Sequence, residues 1–454
     1  MNTASYRNIS VTAAILLIVP QVIFAQVYTG RFTTSIYSWE RQDSPTTSSG
    51  HVRVYQRSYL KANNLANKNL SLIANLSYST DIVTESQNDP RFRIISAYLK
   101  YKFLNSNYLY IGRQRVYTNS ATAAFDGIRL IYKKTANLIV DGYWGTNIPI
   151  NRGFDLLDLR SNQVLGIKTS YNNLFGFDGS LSYSDIRRKP NDYSEPGEFT
   201  NTFLRRQATQ ERFLGAALKR NINDNFSIYS RILLNYGAPL IGSGKAGFRN
   251  FQRFDLTARY RHNRNITLTA EYLIRRPRLN ENSIFWVFNQ KTFSETAGRI
   301  YYRINSNLSL SGGLSLLSYK ETVKFDNLDD SSLRINAGLN WNKISFSISN
   351  RSGYAGESVS TALSFSTRVR NKGILRIGGN YSIYKINSDA EKNNNAVTLF
   401  LGSTHNFNKT VSANIDVQYL SQEINSQRDF FGYSKDIRLF ARVNYKFKAG
   451  RYRK

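Results

Sequence analysis

The sequence predicts an all-β protein: a transmembrane, antiparallel, up-and-down β-barrel of about 22 strands with no plug domain. Three observations predict it: period-2 alternation along the chain, short Asn-rich connections between longer polar loops, and an N-terminal segment typical of export. In the last predicted strand, apolar residues from Ile437 to Phe447 alternate with a set from Asp436 to Lys446 that is polar except for Phe440. Successive side chains of a strand point to opposite faces, so this segment has one apolar and one basic face. Repeated along the chain, the pattern fits a closed barrel with lipid outside and water inside.

The first 25 residues have the pattern of a secretory signal peptide. Arg7 precedes an apolar stretch from Val11 to Val19, which is followed by Pro20 and by Ile23, Phe24 and Ala25. Cleavage is expected between Ala25 and Gln26. The apolar stretch is shorter than the roughly 20 residues that a membrane helix needs. An exported barrel is expected in the outer membrane of a diderm bacterium, with outer-membrane lipid around it.

Short connections rich in Asn mark one end of the predicted barrel. Asn tolerates positive φ and bonds its own backbone, as a tight hairpin requires. Outer-membrane barrels have short periplasmic turns and long extracellular loops, which matches this alternation. Ten turns join twenty strands, and a first and a last strand bring the number to 22, with 18 or 20 as the alternatives. The turns are centred near Asn67, Ser106, Ala136, Asn173, Asn223, Asn263, Ser306, Asn342, Asn371 and Asn408.

The barrel is expected to fill residues 26–447 as one domain, followed by a basic tail at 448–454. The first strand starts within a few residues of the cleavage site, which leaves no room for an N-terminal plug. A constriction would therefore come from an infolded loop or from long side chains on the wall. The 187–209 loop is the candidate, and a solvated extracellular loop is the alternative. Its basic residues include Arg187, Arg188, Arg205 and Arg206.

The net charge of +30 (61 Lys and Arg against 31 Asp and Glu) has to be placed away from lipid. A basic side chain on the lipid face near the midplane costs about 2–4 kcal/mol. Many basic residues alternate with apolar ones, and we expect them to line the lumen and attract anions. Wall-bracing salt bridges are the alternative, and part of the excess falls in turns or in the tail. The predicted lining residues are Arg129, Lys168, Arg231, Arg259, Arg261, Arg299, Arg303, Arg334, Arg368, Arg370, Arg438 and Arg442.

One stretch carries a family resemblance. The motif YIGRQR at 110–115 ends one predicted strand, and FDGIRL at 125–130 opens the next. This pairing resembles the alginate-export and related porin families, over residues 108–145. The resemblance implies a monomeric barrel whose Arg- and Lys-lined lumen conducts an anionic polysaccharide or small anions. It also implies that Arg113 and Arg129 contact the solute, although the predicted strand number exceeds the eighteen expected of that family.

Catalysis and cofactor binding find little support in the sequence. Its three His residues, at 51, 262 and 405, are far apart, and no His, Ser and acidic group forms a recognisable constellation. Cysteine is absent, so no thiolate metal site is available, and no phosphate or dinucleotide fingerprint occurs. We expect no enzyme activity, no cofactor and no metal. Nucleic acid is not an expected partner, because an exported barrel rarely meets it.

The sequence therefore predicts an outer-membrane porin or exporter that passes anionic solutes, with an acidic polysaccharide as one candidate. The alternative is a scaffold barrel that docks a periplasmic or surface partner, such as an electron carrier or a secretion-complex subunit. In that case the basic lumen would be the docking surface.

Overall fold

Every long element of the structure is a β-strand, and the strands close into one barrel. The computed structural model describes residues 27–44, 47–65, 68–83, 89–104, 106–189, 193–195, 202–204, 209–236, 251–276, 292–320, 331–353, 356–370, 372–385, 393–423 and 433–450. The predicted signal peptide, Arg205, Arg206 and residues 451–454 of the tail lie outside them. No helix of the described residues is long and apolar enough to span a membrane.

The strands follow one another along the chain with few other elements between them. The short helix α1 (Leu159–Asn162) precedes β8, and Asp158 caps it by accepting the backbone N–H of Ser161 at 2.9 Å. The strands are β1 (Val27–Ser44), β2 (Thr47–Asn63), β3 (Leu70–Asp81), β4 (Arg91–Phe103), β5 (Asn107–Tyr117), β6 (Thr122–Lys133), β7 (Leu138–Asn147), β8 (Gln163–Leu174), β9 (Phe177–Arg188), β10 (Tyr193–Glu195), β11 (Thr202–Leu204), β12 (Thr209–Asn221), β13 (Phe226–Asn235), β14 (Phe251–Arg261), β15 (Ile266–Arg275), β16 (Thr292–Arg303), β17 (Leu308–Lys320), β18 (Ser331–Trp341), β19 (Ile344–Gly353), β20 (Ser358–Val369), β21 (Gly373–Tyr384), β22 (Asn394–Asn406), β23 (Val411–Glu423) and β24 (Tyr433–Ala449).

The sheet has 22 strands, and each strand pairs antiparallel with its neighbours in the chain. β9 pairs with β12, because β10 and β11 form a separate two-stranded ribbon between them. β1 pairs with β24 along most of its length, which closes the ring and leaves no free edge. The predicted fold and strand number are therefore confirmed, and the described residues include no domain inside the barrel.

The short turns owe their shape to one repeated Asn device. The side-chain Oδ1 of Asn263 accepts the backbone N–H groups of Asn265 and Ile266, both at 2.8 Å. Asn223, Asn305 and Asn408 make the same pair of hydrogen bonds two and three residues ahead. An Asn that bonds its own backbone in this way closes a tight turn. Both ends of the sheet, at Val27 and Ala449, lie on the side of these turns.

The wall has one apolar and one polar face, as the alternation predicts. On β18, Leu333 and Ile335 share the outer face, whereas Arg334 and Asn336 point to the lumen. Nearly all exposed large apolar side chains of the strands lie on the outer face. Rings of aromatic side chains mark its two ends: Tyr101, Tyr132, Tyr260, Tyr302, Trp341 and Tyr445 near the short turns, and Tyr78, Trp144, Tyr272 and Tyr381 towards the other end.

Candidate functional site

The candidate functional site is the lumen wall, and the strand register assigns most of the predicted lining residues to it. Directly paired residues point to the same face, so each ladder carries the assignment from one strand to the next. Arg299, for example, lies opposite Thr269, which in turn lies opposite Arg259. The predicted residues on the lumen face are Arg129, Lys168, Arg231, Arg259, Arg261, Arg299, Arg303, Arg334, Arg368, Arg438 and Arg442.

Two of the predicted lining residues lie elsewhere. Arg370 belongs to the turn after β20 and has a φ of 49°, so it is not part of the wall. Arg113 pairs with Asp126, whereas the neighbouring Gly112 and Gln114 have the phase of the lumen face. Arg113 is only 5% exposed and so cannot contact a solute in the lumen.

Arg113 instead fixes the connection that follows β7. Its guanidinium donates two hydrogen bonds of 2.8 Å to the carboxylate of Asp126. It also donates to the backbone carbonyls of Arg152 and Gly153, at 3.2 and 2.6 Å. The pairing of β4 with β5 ends at Arg113, and the backbone N–H of Ile94 bonds the Arg152 carbonyl at 2.9 Å. The connection thus fills a gap in the wall.

This connection also carries a partly exposed positive charge, that of Arg152. Partial burial, together with the nearby Arg115 and Arg93, lowers the pKa of Arg152 below the usual value for arginine. The charged form persists because an arginine pKa is far above neutral pH. Arg152 therefore keeps its positive charge at neutral pH.

Several carboxylates of the described lumen wall are paired with arginines. The carboxylate of Asp141 binds Arg129 at 2.7 Å, and Glu271 binds Arg299 at 2.8 Å. Asp255 and Arg253 form a pair on one strand, with atoms 2.7 Å apart. Arg438 is paired with Asp436 in the same way. The salt-bridge alternative therefore holds for part of the wall.

A second set of basic residues on the lumen face has no such partner. Arg259, Arg261, Arg334 and Arg368 are exposed, and Lys168 is partly exposed. No carboxylate of the described residues lies within 4.0 Å of their charged nitrogens. Their charges add to a positive potential in the lumen, whereas the paired arginines contribute much less.

A narrowing of the lumen comes from the connection between β5 and β6, residues 118–121. Asn119 donates a 2.6 Å hydrogen bond to the hydroxyl of Ser180, and its carbonyl accepts from Arg231 at 2.9 Å. The hydroxyls of Ser120 and Ser184 lie 2.6 Å apart. These bonds tie the hairpin tip to the inner face of β9 and β13, so the hairpin crosses part of the lumen.

Apolar packing and glycines make this crossing stable. The hairpin strands contribute to a buried cluster on the lumen face, and an added Cβ at Gly215 would lie 2.5 Å from the backbone of Asn119. At Gly127 and Gly145, which pair directly, an added Cβ would overlap the neighbouring backbone. Only glycine allows the strands to bend so closely. The cluster consists of Val116, Ala123, Phe125, Tyr143, Val164, Ile186, Phe213 and Leu233.

The constriction predicted in the 187–209 loop is not the one that the described residues show. Arg187 and Arg188 end β9 at the rim, and Arg187 donates to the backbone carbonyl of Arg160 at 3.0 Å. Arg205 and Arg206 lie outside the described residues. The motifs at 110–115 and 125–130 belong to the two strands of the inward hairpin. Their glycines are the feature of the sequence that could have indicated this hairpin.

Aromatic rings and basic groups meet on the lumen face of β4–β6. The Lys100 ammonium lies 4.1 Å from the centre of the Tyr108 ring, and the Arg129 guanidinium lies 5.5 Å from that of Tyr110. The rings of Tyr98 and Tyr110 are 5.8 Å apart. A solute with a flat face and a negative charge could contact both kinds of group there.

The His residues do not form a metal site in the described part of the chain. No group of three or more His, Asp or Glu side chains suited to a metal ion occurs among the described residues. His262 and His405 lie at or next to short turns, as expected. His51 differs from them, because it lies on the lumen face of β2 and contacts the carboxylate of Asp81.

Comparison with known proteins gives matches in fold only. No family model matches the sequence, and no curated protein matches it. The siderophore receptor PirA of Pseudomonas aeruginosa has a TM-score of 0.56 at 9% identity, over 92% of this chain and 80% of the receptor. A variant of the ferric enterobactin receptor PfeA of the same organism has a TM-score of 0.58 at 8% identity, with the same coverage.

A third structure, OccAB2 of Acinetobacter baumannii, matches over 92% of this chain and 98% of its own. Its identity is 10% and its TM-score 0.45, a level at which the likeness carries no argument. The likeness to the two receptors extends to the fold alone, a closed β-barrel.

Proposed function

We propose that the protein is an outer-membrane channel that passes anionic solutes through its basic lumen. It takes neither cofactor nor metal in this role, and transport is passive. The alginate-like polyanion implied by the sequence resemblance is one candidate solute, and small carboxylates are others. The observation that supports the proposal is the set of lumen-facing basic residues without acidic partners.

The outer face supports the membrane location. Its exposed apolar side chains would be unfavourable in water, and two rings of aromatic side chains bound them. Aromatic girdles of this kind lie at the two interfaces of outer-membrane barrels. The backbone N–H and C=O groups are hydrogen-bonded as well, because the closed ring leaves no strand edge in lipid. The side with the short turns would face the periplasm.

The lumen face supports anion passage. Arg259, Arg261, Arg334 and Arg368 belong to β14, β18 and β20, so their charges are spread around the wall. Exposed guanidinium groups attract carboxylates and can replace part of their hydration shell. Several weak sites in succession let a solute leave as readily as it enters. The inward hairpin narrows the path and brings solutes closer to the wall.

The first test is the ion selectivity of the refolded protein in a planar bilayer. Under a KCl gradient, we expect a reversal potential whose sign shows that chloride permeates in preference to potassium. Replacing Arg259, Arg261, Arg334 and Arg368 by Gln removes four unpaired charges and should shift the reversal potential towards zero.

A matched variant separates lumen charge from total charge. Replacing Lys134, Lys343, Lys372 and Lys409 by Gln also removes four charges, but at the short turns rather than on the wall. This variant should keep most of the anion preference. Cation preference in the unmodified protein would contradict the proposal. A barrel that folds and inserts without conducting would favour the scaffold alternative.

A further inference from the structure

Three side chains at the extracellular end of the lumen form a hydrogen-bonded chain. The hydroxyl of Ser49 lies 3.3 Å from Nε2 of His51, and Nδ1 of His51 lies 2.8 Å from Oδ2 of Asp81. Ser49 and His51 are two residues apart on β2 and so share the lumen face. Asp81 ends β3 and pairs with Arg53, which has the same phase. The register of two strands therefore assembles the group.

The carboxylate and the imidazole are both held in place. The Asp81 side chain is fully buried, and its Oδ1 accepts the backbone N–H groups of Val52 and Val83 at 3.3 and 3.1 Å. Oδ2 is then directed at His51. On its other side, the imidazole stacks on Trp39, with ring centres 4.8 Å apart and planes 12° from parallel. These contacts fix the orientation of the base.

The arrangement contains the parts of a nucleophilic triad in their functional order. If Nδ1 of His51 carries the ring proton and donates a hydrogen bond to the Asp81 carboxylate, Nε2 has a lone pair that can accept the proton of Ser49. A serine–histidine distance of 3.3 Å is typical of a site without substrate, where such contacts are loose. A His that only braced the wall would need the Asp81 contact but not a hydroxyl at Nε2.

We propose that Ser49, His51 and Asp81 form a nucleophilic site that attacks acyl esters at the mouth of the lumen. Oγ of Ser49 bonds to the acyl carbon while its proton moves to Nε2 of His51. The ester C–O bond then breaks, and the alcohol leaves with that proton. Water next attacks the acyl-serine, gives a proton to His51 and releases the carboxylic acid, and the proton returns to Ser49.

The site is accessible to solutes that reach the extracellular mouth. Ser49 is partly exposed, whereas His51 and Asp81 lie behind it with 13% and 0% of their side chains exposed. The nucleophile thus faces the lumen, and the base and the orienting carboxylate are shielded from water. This activity would be independent of conductance, so either can exist without the other.

The direct test is labelling of the refolded full-length barrel with a fluorophosphonate probe. The serine oxygen would bond to phosphorus, fluoride would leave, and the proton would pass to His51. Mass spectrometry should locate the label on Ser49. Ser49→Ala should remove the label, and Asp81→Asn should slow labelling by more than about tenfold, since the wrong tautomer is then held. No label at Ser49, or equal labelling of other serines, would overturn the proposal.

A second variant tests the base even if no ester is a substrate. The chain contains no Cys, so Ser49→Cys introduces the only thiol. A thiol next to His51 should react with iodoacetamide about tenfold faster than a thiol at Ser77→Cys, which lies on the lumen face of β3 away from any His. Adding His51→Gln should lower the rate to that of the control. Equal rates in all three proteins would show that His51 activates nothing at this position.

Correct folding of each variant can be checked separately. A folded barrel migrates differently on a gel before and after heating, and this shift should persist in all variants. Hydrolysis of p-nitrophenyl acetate above the Ser49→Ala background would then report the complete cycle. Labelling without hydrolysis would confine the site to a reactive serine and overturn the proposed turnover.

Discussion

At the scale of single residues, the environment of an arginine decides its role more than its presence in a motif does. Arg113 and Arg129 belong to the motifs at 110–115 and 125–130, and both bind an aspartate bidentately. Arg129 nevertheless borders the lumen, whereas Arg113 is covered by the connection after β7. Arg113 is therefore a structural residue, and it supplies the positive charge that the carboxylate of Asp126 needs at this buried position.

Removing Arg113 should destabilise the barrel strongly. Arg113→Ala leaves Asp126, which is only 10% exposed, without its partner, and removes one hydrogen bond each from the backbone carbonyls of Arg152 and Gly153. Breaking a buried pair typically costs about 3–5 kcal/mol. We expect a loss of this size in the free energy of unfolding, measured with urea in lipid vesicles by tryptophan fluorescence.

The control for this prediction is a similar pair at the surface. Arg212 binds Asp185 at 3.2 Å, but 49% of its side chain is exposed. Arg212→Ala should cost no more than about 1 kcal/mol, as exposed pairs usually do. Equal losses in the two variants would mean that the connection after β7 does not depend on Arg113.

At the scale of elements, the inward hairpin of β5 and β6 is the feature that shapes the lumen. Its tip is seated by hydrogen bonds to β9 and β13, and Gly215 on β12 gives it room. Beyond Arg113, β5 loses its pairing with β4, and the connection after β7 bonds to β4 in its place. The inward bend of this hairpin thus explains the glycines, the buried cluster and the hydrogen bonds between Arg113 and the connection after β7.

A disulfide should capture the seated hairpin. The hydroxyl groups of Ser120 and Ser184 are hydrogen-bonded at 2.6 Å, so the two side chains point at each other, as the two cysteines of a disulfide must. Ser120→Cys with Ser184→Cys should form a disulfide under mild oxidation, detected by mass spectrometry. Gly215→Ala should suppress it, because the added methyl group collides with the hairpin backbone.

Gly298→Ala serves as the control, because an added Cβ at that glycine meets nothing within 4 Å. It should leave the yield of the disulfide unchanged. A disulfide that forms equally well in Gly215→Ala would show that the hairpin does not rest on that part of the wall.

At the scale of the whole molecule, the lumen charges are graded along the barrel axis. Towards the short turns, the lumen face carries Lys102, Arg261, Arg303, Arg368 and Lys446. Asp81, Asp255, Glu295 and Asp436 lie farther towards the opposite end. The periplasmic end should therefore be the more anion-selective part of the path.

This gradient predicts an orientation-dependent selectivity. The Debye length is about 10 Å at 0.1 M salt and about 3 Å at 1 M, so wall charges act mainly on the dilute side. The anion-selective reversal potential should be larger when the dilute bath contacts the periplasmic end. Thiol labelling of Lys343→Cys from one bath would report the orientation, and equal potentials in both orientations would contradict the gradient.

The sequence predicts the local features of this fold well, because they depend on short-range rules. Alternation with a period of two assigns Arg334 to the lumen and Leu333 to lipid without any knowledge of neighbouring strands. Asn263 and Asn305 close their turns through bonds two and three residues ahead, again within local sequence. These rules, applied from end to end, also give the strand number.

What the tertiary structure alone decided depends on contacts between distant strands. The sequence by itself determined the barrel, its two faces and its excess of lumen-facing basic residues, since each follows from residue type and spacing. The seat of Asn119 against Ser180, the burial of Arg113 and the approach of Ser49 and His51 to Asp81 required the register of separate strands. A one-residue shift in register would have turned any of these side chains to the other face, so no local pattern could reveal them.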